Sequence, residues 1–151
     1  MFRRNLKFLL ISIIGMPFIA SAQDDKLCEQ LISFASKTKV GETLSVRLVN
    51  DWSNFSKSCD HNNTEEGKEF CGYLIKNTST EFMNLNLTRV LSCSNTNFSF
   101  GNVLINKSIG EFSVFEVPGL NPDITLNINF SIGADKVKDY MEIVTEFEVV
   151  E

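Results

Sequence analysis

The chain has 151 residues, 14 Lys and Arg against 19 Asp and Glu, a net charge of −5, and four cysteines. An acidic balance of this kind repels nucleic acid and anionic lipid, which excludes a polyanion-binding surface as the principal business of the chain. The length allows one buried core without relying on disulfides for all stability.

Arg3, Arg4 and Lys7 precede an apolar run from Phe8 to Ala20, and Ala20-Ser21-Ala22 follows. Cations, a short apolar core and small residues at a cleavage site are the three parts of a secretory signal peptide. The run is shorter than the ~20 residues that span a bilayer, so residues 1–22 are expected to be removed and residues 23–151 to form a single domain in the periplasm or outside the cell, without membrane insertion after cleavage. Cleavage removes 3 of the 14 basic residues and no acidic one, leaving 11 against 19, a net charge of −8. The steering field of such a chain favours a basic partner.

Asp24 and Asp25 suit a helix N-terminus, and Leu27, Leu31, Ile32, Phe34 and Ala35 recur at helical spacing. Thr43 to Val49 alternates as a strand with one buried face. Asn50 to Gly67 is polar and reads as one long irregular loop, with Trp52 and Phe55 as its large apolar residues. A helix is predicted over Glu66 to Lys76. Thr78-Ser79-Thr80-Glu81 resembles a capping box with Thr78 as acceptor, opening a further helix to about Cys93 that buries Met83, Leu87, Val90 and Leu91.

After Ser94 the period becomes two. Phe98 to Ile105 predicts a hairpin about Gly101-Asn102, Phe112 to Val117 a strand ended by Pro118-Gly119, and Ile124 to Ile132 alternates without a break. A turn at Gly133-Ala134-Asp135 leads to a last strand with Met141, Ile143, Phe147 and Val149 on one face and Glu142, Glu146 and Glu148 on the other. The order predicts an α+β fold, two or three N-terminal helices packed on one face of a C-terminal antiparallel β-meander. The alternative is a β-sandwich with a helical N-terminal extension.

Cys28, Cys59, Cys71 and Cys93 are an even set in an oxidising compartment, and the favoured pairing is Cys59 with Cys71 and Cys28 with Cys93, among three that the count allows. Their spacing lacks the short paired intervals of a zinc site, and the oxygen-rich run of Asp60, Asn62, Asn63, Glu65 and Glu66 does not have the spacing of an EF-hand. No metal or cofactor is expected. Asn-x-Ser/Thr occurs at Asn54, Asn62, Asn77, Asn86, Asn97, Asn106 and Asn129, and is read as compositional in a chain rich in these residues.

His61 is the single histidine, and a general base oriented by Asp51 or Asp60 would need a nucleophile motif that does not accompany it. No catalytic residue is assigned. The expectation is a non-enzymatic binding protein, an inhibitor or immunity protein that occludes a basic hydrolase or toxin. Asp51, Trp52, Phe55, Asp60 and His61 on the loop are the expected contact residues. The alternatives are a small-molecule carrier or cone-fold enzyme with a pocket near Tyr73, Met83 and Phe130, and a surface assembly subunit or homodimer that pairs through an uncovered final strand.

Overall fold

The computed structural model describes residues 24–94, 107–134 and 138–148. Chain order is α1 (Asp24–Ala35), β1 (Thr43–Asp51), β2 (Ser56–Asp60), α2 (Glu65–Asn77), α3 (Met83–Ser94), β3 (Ser108–Val114), β4 (Ile124–Ile132) and β5 (Asp139–Phe147). The five strands form one antiparallel sheet in the order β2-β1-β5-β4-β3. Three helices and this sheet make the expected α+β fold. The hairpin predicted over Phe98 to Ile105 and the position of Val149 lie outside the described residues.

Three strand readings differ from expectation, the first in bounds alone: the strand expected over Phe112 to Val117 is β3, Ser108–Val114, which ends before Phe115. The long polar loop contains β2, which pairs with β1 from Arg47↔Asp60 to Asp51↔Ser56. Its sequence, Ser-Lys-Ser-Cys-Asp, has no apolar alternation because it lies at the sheet edge, where neither face is deeply covered. The final strand is not uncovered: β5 lies in the sheet interior, between β1 and β4. Edge-to-edge pairing through β5 is therefore ruled out, since both of its hydrogen-bonding sides are used.

Alternation places Leu44, Val46 and Leu48 of β1, Leu126, Ile128 and Phe130 of β4, and Met141 and Ile143 of β5 on one buried face. The helices cover that face with Leu27, Leu31 and Phe34 of α1, Phe70 and Leu74 of α2, and Met83, Leu87, Val90 and Leu91 of α3. Each such side chain contributes ~1.5–3 kcal/mol on burial. Phe34 stacks on Phe70 with centroids 5.0 Å apart, joining α1 to α2. Phe130 stacks on Phe112 at 5.5 Å and covers Gly110, where an added Cβ would stand 3.1 Å from its ring. The closing polar contact is a buried hydrogen bond between the Thr38 and Thr145 hydroxyls.

Cys28–Cys93 ties α1 to α3 and Cys59–Cys71 ties β2 to α2, the favoured pairing. All four thiols are thereby consumed, which removes the thiolates that a zinc site built on them would need.

The capping box expected at Thr78 does not form. The Thr78 hydroxyl donates to the Leu74 carbonyl and closes α2, so it is not free to cap the next helix. Ser79 closes the turn that precedes α3, its Oγ accepting from the Glu81 and Phe82 amides at 3.2 and 3.0 Å. Asn86, fully buried, reaches back to Ser79: its Oδ1 accepts from the Ser79 amide and its Nδ2 donates to the Ser79 carbonyl, both at 2.8 Å. That burial also bars a glycan from Asn86.

Candidate functional site

The β1–β2 hairpin reaches from the sheet to the junction between α2 and α3. On the face that meets the helices, Asn50 Nδ2 donates to the Ser79 carbonyl at 3.2 Å, and the Lys57 ammonium donates to the Thr78 carbonyl. Partial burial of Lys57 lowers its pKa from the usual lysine value. These two bonds seat the hairpin tip beside the first turn of α3. They bring Trp52 edge-on to Phe82, with ring centroids 6.2 Å apart.

The result is an exposed apolar end. Trp52 is 49% exposed, Phe55 71%, Phe82 51% and Leu85 49%. Phe82 and Leu85 are one helical turn apart, and Trp52 and Phe55 share one turn of the hairpin. Half-exposed aromatic side chains of this kind leave a large apolar area in water. The other exposed large apolar residues among those described, Val40, Ile109 and Phe115, lie on other segments.

The tip is held by Asp51. One carboxylate oxygen accepts from the Ser53 amide at 3.1 Å and from its hydroxyl. The other accepts from Asn54 Nδ2 at 3.0 Å and from the Lys138 ammonium, which enters from the start of β5. The Asp51 side chain is 12% exposed in this nest. The bond from Lys138, then those from Ser53 and Asn54, hold its carboxyl well below the usual carboxylate range. Phe55 closes the turn with φ of +46°, in the left-handed region. An aromatic tip fixed by charge-assisted hydrogen bonds loses little freedom on binding.

Asp60 and His61 lie at the opposite end of β2, five strand residues away, which spans ~16 Å. Asp51, Trp52 and Phe55 are thus brought together, whereas Asp60 and His61 are not part of that group. Nor do the pairings of an activated histidine form. Asp51 is engaged at the tip, Asp60 Oδ1 accepts from the Asn62 amide at 3.1 Å, and the buried His61 Nδ1 has no hydrogen-bond partner. His61 instead packs on the start of α2, where Thr64 caps the helix by accepting from Gly67. A Cβ on Gly67 would stand 2.6 Å from the Thr64 hydroxyl and 2.9 Å from His61 Cβ.

Phe82 and Leu85 were not among the residues picked out by sequence. The available signal was their position off the stripe of Met83, Leu87, Val90 and Leu91, since an apolar residue off the buried face of a helix must face solvent or a partner. For the pocket reading, Met83 and Phe130 are packed in the core and Tyr73 lies half-buried at its margin. The cleft between Gln30, Ser33, Phe34 and Lys37 of the α1 side and Glu66 and Phe70 of α2 measures about 20 Å³, room for a water. Among the described residues, no helix is long and apolar enough to cross a membrane. No family model, curated protein or solved structure matches the chain.

Proposed function

We propose that this chain is a small exported binding protein that acts by occluding another protein, as an inhibitor or immunity protein against a basic hydrolase or toxin. The observation that carries the reading is the aromatic end: Trp52 edge-on to Phe82 and half-exposed, with Phe55 exposed on the same hairpin turn that Asp51 orders and Leu85 exposed in the first turn of α3. Trp and other aromatic residues clustered in this way are the usual centres of binding energy in protein interfaces. The hairpin is the part narrow enough to enter a cleft, and the acidic surface steers a cationic partner toward it. Two disulfides fit action in an oxidising compartment, and the N-terminal cations, apolar run and small residues supply an address to the periplasm or beyond.

The test is inhibition and complex formation. The protein lacking residues 1–22 is titrated against basic cell-wall hydrolases and against toxins encoded beside its gene, with complexes read by size-exclusion chromatography. A one-to-one complex is expected, weakened at least tenfold by Trp52→Ser and by Phe82→Ser with melting temperature little changed. Absence of any complex across these targets, or a complex indifferent to both substitutions, rejects the reading.

A further inference from the structure

The sheet face turned away from the helices carries an ordered row of charge. Strand register places Glu111 opposite Asn129, Asn129 opposite Glu142, Glu142 opposite Arg47, and Arg47 opposite Asp60. One residue from each of five strands therefore forms a line across the face on which none of the described helices packs. Neighbouring strands lie ~4.8 Å apart, so the three carboxylates recur every second strand, at ~9.6 Å intervals over ~19 Å. Glu111 and Asp60 are exposed, and Glu142, Asn129 and Arg47 half-buried.

Arg47 does not neutralise its neighbours. Its guanidinium lies over the Tyr140 ring, 3.9 Å from the centroid, and no ion pair joins it to Glu142 or Asp60 among the described residues. Its planar donors are held in place by the ring yet remain without an acceptor. Next to Asn129 along β4, on the same face, Ser131 is 1% exposed and its hydroxyl has no hydrogen-bond partner. The face thus presents the Glu111 and Glu142 carboxylates and the Arg47 guanidinium without an ion-pair partner among the described residues, beside Asp60, whose Oδ1 accepts from the Asn62 amide, while the Ser131 hydroxyl lies buried beneath it.

We propose that this face is a docking surface for a basic α-helix of a partner protein, lying across the strands with cations at positions i, i+7 and i+14. The spacing selects the helix. Residues seven apart on one helical face are separated by ~10.5 Å, close to the carboxylate interval. An extended segment presents same-face residues at ~6.6 or ~13 Å, and matches neither. Arg47, between Glu142 and Asp60, repels a cation and takes an acidic residue at i+11 of the helix, which sets its direction. The surface is an addition to the aromatic end, and it rests on the reading that the chain is a protein-binding module.

A fluorescent, alanine-based helical peptide with Lys at i, i+7 and i+14 and Glu at i+11 is titrated at low ionic strength, beside a peptide of equal composition and helicity with Lys at i, i+5 and i+10. The seven-spaced peptide binds several-fold tighter. Glu142→Gln weakens it about fivefold, the upper range for one exposed ion pair. Glu146→Gln, on the same strand and face but outside the row, weakens it less than about twofold. A Glu142→Lys variant recovers binding when the central Lys of the peptide becomes Glu, which separates direct pairing from damage to the fold. Equal binding of the two peptides, equal effects of the two Gln variants, or absence of recovery overturns the inference. Such a failure leaves the aromatic end standing, because that reading depends on the response of a whole partner to Trp52→Ser, a substitution expected to leave peptide binding unchanged.

Discussion

The two ends of β2 differ in what their polar residues do. At the tip, Asp51, Ser53, Asn54 and Lys138 form an external scaffold that keeps Trp52 and Phe55 in solvent. At the other end, the Cys59–Cys71 bond, the Thr64 cap and the crowded Gly67 seal the strand onto α2. Similar polar composition therefore serves presentation at one end and closure at the other. The lesson is that a polar stretch has to be judged by where its hydrogen bonds go.

The largest break in that comparison comes from opening the sealed end. Replacing Cys59 and Cys71 together by Ser is expected to cost about 3 kcal/mol, the loop entropy for their separation of 12 residues. Urea unfolding measures the loss, while Trp52 emission in the native baseline stays unchanged because the tip is held separately. Opening the Cys28–Cys93 bond, which spans 65 residues, is expected to cost more, about 4 kcal/mol.

Gly67→Ala tests closure without touching a disulfide. The added methyl meets the Thr64 hydroxyl and His61 backbone, so the cap and the turn must shift, at an expected cost of about 2 kcal/mol by thermal or urea melting. At the tip, Trp52→Ser is expected to change stability by less than about 1 kcal/mol, since half of the ring is already in water. Equal destabilisation by these two substitutions would erase the distinction between the ends.

The smallest effect is the pH response of the tip, readable because Trp52 is the single tryptophan. The folded Asp51 carboxyl lies below its unfolded value, near 3.9 for an ordinary aspartate. Its contribution is therefore complete above that unfolded value and is lost as pH falls through the lower folded value. Trp52 emission and anisotropy are expected to remain flat from neutral pH through about 4, and to change only in stronger acid. Lys138→Gln removes the largest cause of the depression and is expected to move the change toward the ordinary carboxylate range.

Much of this fold was legible where burial imposes a period. Ile124 to Ile132 alternates because β4 is an interior strand with one face on the helices, and Met83, Leu87, Val90 and Leu91 mark α3 for the same reason. β2 was not legible, because an edge strand needs no apolar face and its existence depends on the register with β1. The central place of β5 was hidden too, since side-chain alternation reports which face is buried and says nothing of which strands are neighbours. In the candidate site, Trp52 and Phe55 stood out as large apolar residues in polar surroundings. Phe82 did not, because its meeting with Trp52 depends on the distant bonds of Asn50 and Lys57 to the α2–α3 junction.

The pairing of β1 with β5 also governs when the molecule can form. Thr145 contacts Leu44 across 101 residues of chain, so the sheet has no middle until β5, Asp139–Phe147, has left the ribosome. Before that moment β1 has β2 as a neighbour and bare backbone on its other side, and such long-range pairing is slow to arrive. A chain made only as far as α3 therefore holds one side of β1 open for a strand still to come.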